Sequence, residues 1–153
     1  QIAKNPELKF RDLEEARKSC EQLLSQPFTL LNYLEGTRFT PEKHAKQNSP
    51  YKNLLKPKAG GLALALSILE NEIDALVDMT IVYPDAVPDY GDFWLGGVSQ
   101  VAVNLRKIEI PDWVRGGNYE DDAEYRERFQ KWVDQLWAEK DQLISELKQK
   151  FST

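Results

Sequence analysis

The sequence predicts an α/β fold, part of a mixed β-sheet flanked by helices and ended by a long C-terminal amphipathic helix. Three observations predict it. Apolar runs suited to buried strands recur at Phe28–Leu34, Ala75–Tyr83 and Ser99–Ile110. Helical spacing of apolar residues fills Glu7–Gln26 and Ala59–Glu70, between and before those runs. Last, Tyr125, Phe129, Trp132, Leu136, Leu143, Leu147 and Phe151 recur at steps of three, four and seven within Glu120–Phe151.

Each element has its local reason. In Glu7–Gln26 the apolar positions Phe10, Leu13, Cys20, Leu23 and Leu24 alternate with charges, and Pro27 closes the helix. Cys20 falls on its apolar face and reads as core. Phe28–Leu34 then reads as a buried strand, and the turn Glu35-Gly36-Thr37-Arg38 follows at its C-terminal end, where open α/β sheets place ligands. Residues 39–57 hold Pro41, Pro50 and Pro57 with Asn48, Ser49 and Asn53, which predicts a substrate-facing loop with one short helix starting at Pro41. Ala59–Glu70 is a small-residue helix with Lys58 just ahead of its N-terminus, where the backbone dipole favours an anion.

Asp89–Gly97 reads as a turn plus a short helical segment carrying Phe93 and Trp94, with local packing as the expectation for both rings. Gly116-Gly117 makes the connection at 112–118 flexible. The acidic group Glu120, Asp121, Asp122 and Glu124 suits the start of the last helix, and no metal site or cofactor is suggested. The polar face of that helix mixes both charge signs, which favours packing on the α/β core over lying on a membrane.

Composition narrows the classes. A chain of 153 residues with 41% hydrophobic and 29% charged content suits a single globular domain. No apolar stretch approaches the ~20 residues that cross a bilayer, and Gln1-Ile-Ala-Lys-Asn lacks the apolar core of a secretory signal. A net charge of −5 offers no general attraction to nucleic acid. One cysteine excludes a disulfide scaffold. Within this acidic chain, Arg38, Lys43, Lys46, Lys52, Lys56 and Lys58 face only Glu42 between residues 38 and 58, a basic island that reads either as solvated loop lysines or as a rim for an anionic substrate.

The turn itself points to phosphate. Gly36 lets backbone approach a ligand closely, and Arg38 offers a planar fork of donors to phosphate oxygens. Glu35 would hold the turn or orient Arg38.

Tyr33-Leu-Glu-Gly-Thr-Arg-Phe-Thr40 resembles the third block of the lysophospholipid and glycerol-phosphate acyltransferases, written Phe-Pro-Glu-Gly-Thr-Arg, with Leu34 in place of Pro. Lys56-Pro-Lys-Ala-Gly-Gly61 is similar to the family's Lys-x-Gly entry to the next helix, and Asp78-Met-Thr-Ile-Val-Tyr-Pro84 to its fourth block. Trp132-Val-Asp-Gln-Leu-Trp-Ala-Glu-Lys-Asp141 resembles the C-terminal helix of the lysocardiolipin acyltransferase branch. The resemblance implies a glycerol-phosphate-acyltransferase-like fold and acyl transfer from acyl-CoA or acyl carrier protein to a lysophospholipid such as lysophosphatidate. It assigns Glu35, Gly36, Thr37, Arg38 and Lys58 to the acceptor, and Tyr83-Pro84 to the donor side.

The family's first block, Asn-His-x4-Asp, supplies its catalytic base. Here the one histidine is His44, five positions on stands Ser49, and His44 follows the Glu-Gly-Thr-Arg block instead of preceding it. The expectation is a C-terminal portion of a single acyltransferase domain: inactive alone, prone to associate, and belonging to a parent enzyme at the cytoplasmic face of a membrane that it contacts through the missing N-terminal part. The competing expectation is a non-catalytic module that keeps the fold and binds phospholipid or a partner.

Overall fold

The computed structural model of the chain describes Lys18, residues 27–84 and residues 87–151. The helix expected over Glu7–Gln26, with Cys20, lies outside these residues apart from Lys18, which is helical. Eight elements follow in order. They are helix α1 (Pro41–Gln47), helix α2 (Ala59–Leu69), a 3-10 turn (Glu70–Glu72), strand β1 (Leu76–Val82), helix α3 (Tyr90–Leu95), strand β2 (Ala102–Ile108), a second 3-10 turn (Asp112–Val114) and helix α4 (Ala123–Phe151).

The architecture is mixed α/β, but its sheet has two strands among the described residues, β1 and β2, paired antiparallel with Met79 opposite Leu105. The strand expected over Phe28–Leu34 is corrected. That run is irregular, with Leu30, Leu31 and Tyr33 47%, 68% and 76% exposed. Apolar content does not make a strand without a ladder partner, and this run ends by curling into a turn in which Gly36 N donates to Tyr33 O at 2.9 Å.

Helix α1 starts as its sequence dictates, with Thr40 capping through Lys43 N and Pro41 in the first turn, and stops on the left-handed Asn48 (φ 47°). Part of the segment expected to face substrate is core instead: Tyr51, Leu54, Leu55 and Pro57 are buried. Gly117 is needed for space rather than for flexibility, because the Tyr125 ring stands where a side-chain carbon would go.

Two apolar clusters lie along α4. One joins Ala59, Leu62, Ala63 and Leu66 of α2 to Val114, Phe129 and Val133. The other joins Tyr51, Leu54, Val82 and Ala102 to Trp137 and Ile144. Helix α4 therefore packs on the α/β core, as expected, but the centre of its stripe is Phe129, Val133, Trp137 and Ile144, turned from the predicted row. Trp132, Tyr125, Leu147 and Phe151 flank it. The turn follows from Trp137, whose indole Nε1 donates to Leu55 O at 2.9 Å and so sets the rotation of the helix.

The sheet departs from the usual apolar-in, polar-out pattern in the middle of its inner side, between the buried ends Val82, Ala102 and Ile108. Its helix-facing side carries Asp78 and Arg106, directly opposed across the strands, and Arg106 binds Asp78 (3.3 Å) and Glu139 of α4 (2.6 Å). Lys140 reaches Asp78 Oδ1 (2.5 Å), Met79 O (2.8 Å) and Thr80 Oγ1 (3.0 Å). The outer side presents Val77, Met79, Ile81, Val101, Val103 and Leu105, all between 44% and 62% exposed.

Candidate functional site

The Glu-Gly-Thr-Arg segment forms a tight turn between the irregular run and α1. Gly36 takes φ +64°, a left-handed conformation open to glycine at little cost. The turn is tied to the start of α2 by Lys58 N donating to Leu34 O at 2.7 Å. The Lys58 side chain folds over it, and a side-chain carbon on residue 36 would stand 3.2 Å from Lys58 Nζ. Thus Gly36 admits the lysine, and the pair predicted from separate stretches of sequence is brought together.

Thr37 and Arg38 complete the rim, both exposed. Lys43, projected from the first turn of α1, donates from Nζ to Thr37 Oγ1 at 2.7 Å and to Arg38 O at 3.1 Å. It sat in the basic island of the sequence without being assigned to the site. The signal that singles it out is Pro41, which starts a helix one turn after Arg38 and sends Lys43 back to the turn. Lysine ammonium groups therefore meet a short stretch of exposed backbone at two points, and the exposed Arg38 adjoins it in the chain.

Glu35 points the other way and is half-buried. Burial pushes its carboxyl above the ordinary carboxylate value, opposed by a hydrogen bond from the Leu55 backbone and by the charge of Lys140. Glu35 therefore anchors the turn to the buried loop at Leu55, while Lys140, held by Asp78 and Thr80, acts on it through charge alone. Sequence reasoning missed Lys140 because its role appears only when α4 crosses the sheet.

His44 is used structurally. Its Nε2 donates to Tyr51 O at 2.6 Å, and its ring lies 5.6 Å from that of Phe39. Tyr51 OH in turn donates to Asp134, and burial with that carboxylate pushes the phenol up to about 12. Tyr83 is half-buried and packs edge-on against Phe93, ring centroids 6.2 Å apart. Two surface hollows, of 490 and 440 Å³, are lined by other residues, the first by Tyr119, Arg126 and Gln130 among others and the second by Asp74, Lys107 and Arg115 among others. Among the described residues no group of His, Cys, Asp and Glu side chains is placed to hold a metal, and no helix is long and apolar enough to cross a membrane.

The exposed Gly turn carries Lys43 and Lys58 against it, with Arg38 next in the chain, and known proteins narrow the class of the molecule. The chain is 30% identical over 129 residues to a 2-acyl-1-lysophosphatidylinositol acyltransferase of Saccharomyces cerevisiae, covering 77% of this chain and 32% of the relative. It is 28% identical over 131 residues to lysocardiolipin acyltransferase 1 of Gallus gallus (79% of this chain, 33% of the relative). It is also 28% identical over 141 residues to 1-acyl-sn-glycerol-3-phosphate acyltransferase delta of Mus musculus (86% and 35%). The chain is thus a relative of the lysophospholipid and 1-acylglycerol-phosphate acyltransferases, as its motifs imply. It spans about a third of the length of the curated relatives it matches. No family model matches it. No solved structure matches it, so the glycerol-phosphate acyltransferase fold has no support from structural neighbours.

Proposed function

We propose that this chain is the acceptor-binding part of an enzyme that transfers an acyl group from acyl-CoA or acyl carrier protein to the free hydroxyl of a lysophospholipid, working at the cytoplasmic face of a membrane. The observation that carries the reading is the convergence of Lys43 and Lys58 on the turn at Gly36 and Thr37, beside the exposed Arg38. Arg38 forms the charge-assisted pair with the acceptor phosphate, and Lys43 and Lys58 add charge on either side. Holding the phosphate fixes the glycerol hydroxyl for attack on the thioester carbon; the hydroxyl loses its proton, and the thiol leaves.

The general base for that proton is not His44, whose Nε2 is committed to Tyr51 O. In the family it comes from the Asn-His-x4-Asp block, which these 153 residues do not contain. On this reading residues 1–153 alone turn nothing over, and measurable transfer by the purified chain would relocate the chemistry.

The test is Arg38→Ala in the complete enzyme, assayed with lysophosphatidate. The expected loss is about 10- to 100-fold in kcat/KM, the worth of one charge-assisted hydrogen-bond pair. An unchanged rate removes the phosphate clamp and leaves a module that binds phospholipid or a partner without turnover.

A further inference from the structure

Two separate stretches of chain meet at the phosphate cradle, the Glu35–Arg38 turn and residues 55–58, and neither belongs to a helix or strand. Their mutual placement rests on two hydrogen bonds. Lys58 N donates to Leu34 O at 2.7 Å, and the Leu55 amide donates to the Glu35 carboxylate. The first brings the Lys58 side chain over Gly36. Leu34 also packs against both apolar clusters, which holds the inner side of the turn.

What holds residues 55–58 therefore decides how Lys58 stands to Arg38. Lys56 N donates to Gln47 Oε1 of α1 at 3.1 Å, at an exposed position. The buried anchor is Leu55. Its side chain is fully buried, and its carbonyl accepts from the Trp137 indole Nε1 at 2.9 Å, across 82 positions of sequence. Leu55 is thus pinned through the peptide units on both its sides, one bond running to α4 and one to Glu35. An indole has one donor and no acceptor, and Trp137 gives its single bond to this carbonyl.

We propose that Trp137 is a positioning residue for the acceptor phosphate: by fixing Leu55 it sets the spacing between the Glu35–Arg38 turn and Lys58. The inference rests on the acyl-transfer reading and adds to it a determinant outside the cradle. Donors that converge on one phosphate act together only at matched distances, because a hydrogen bond weakens steeply when stretched or bent. Packing alone does not supply that match. Ile144 shares the apolar cluster of Trp137 but has no side-chain donor.

The complete enzyme is assayed with lysophosphatidate and acyl-CoA as Trp137→Phe, which keeps an aromatic ring in the cluster and removes the donor. The expected result is an acceptor KM raised about 10-fold, with kcat and the donor KM within about twofold of wild type. Ile144→Ala, which opens the same cluster, should leave the acceptor KM as it is. In the Arg38→Ala background Trp137→Phe should add little further loss, since both act on the same phosphate. An unchanged acceptor KM in Trp137→Phe, an equal rise in Ile144→Ala, or full additivity with Arg38→Ala overturns the proposal. Where Trp137→Phe does not fold, benzothienylalanine at position 137 keeps the size of the ring and replaces N–H by sulfur, and the same outcomes decide. A wild-type rate in Arg38→Ala removes the acyl-transfer reading and this inference together. An Arg38 effect without a Trp137 effect removes this inference alone.

Discussion

At the scale of single residues, Glu35 carries the clearest consequence, because its carboxyl is held above its ordinary value by burial. A carboxyl raised in the folded state binds its proton more tightly there than in the unfolded chain. Folding is therefore penalised above the raised value, and the penalty disappears as pH falls through that value to the ordinary one. Glu35→Gln keeps an acceptor for the Leu55 amide and removes the charge. It should raise the denaturation midpoint at neutral pH and lose its advantage at pH about 4; an advantage that persists in acid would place its origin elsewhere. At this scale the sequence was legible where spacing is local. Gly36, Thr37 and Arg38 stand together in the chain, and Lys58 opens the next helix. Lys43 and Lys140 were not legible as partners, since one depends on the direction in which α1 leaves its cap and the other on α4 crossing β1.

Among the elements, the segment between α1 and α2 is set by α4 more than by its own sequence. Asp141 accepts from Lys52 N (2.8 Å) and Asn53 N (2.6 Å), and Trp137 holds Leu55 O. Asp141→Ala strips acceptors from two backbone amides, which should cost about 1–3 kcal/mol in a denaturant titration. Hydrogen exchange at Lys52 and Asn53 should accelerate in the same variant, and unaltered exchange there would mean that the loop holds itself. Helices α2 and α4 and strands β1 and β2 were readable within a few residues because periodicity and burial agree along them. Phe28–Leu34 misled because an apolar run specifies burial without naming a partner strand. The loop at 48–58 misled in the opposite sense, its prolines and polar residues masking Tyr51, Leu54 and Leu55 of the core.

For the molecule as a whole, the exposed apolar side of the sheet decides the behaviour. Among the described residues two strands present Val77, Met79, Ile81, Val103 and Leu105 to solvent, while Asp78 and Arg106 are spent inward on α4. The isolated 153-residue chain should associate as concentration rises, visible as a growing sedimentation coefficient between micromolar and higher loading. A monodisperse monomer of high thermal stability would show that this face needs no cover. Mixed α/β content and the final helix were foreseeable from composition and period. The inward placing of Asp78 and Arg106 was not, because alternation favours Val77, Met79 and Ile81 as the core side, and only the partners Glu139 and Lys140 on α4 give those charges a reason to face the helix. The order of synthesis adds one more consequence. Tyr51, Asn53 and Leu55 find their partners at Asp134, Asp141 and Trp137, more than eighty positions later. On the ribosome the loop beside the cradle at Gly36 is made more than eighty residues ahead of these partners, so the cradle lacks its support until α4 has been made.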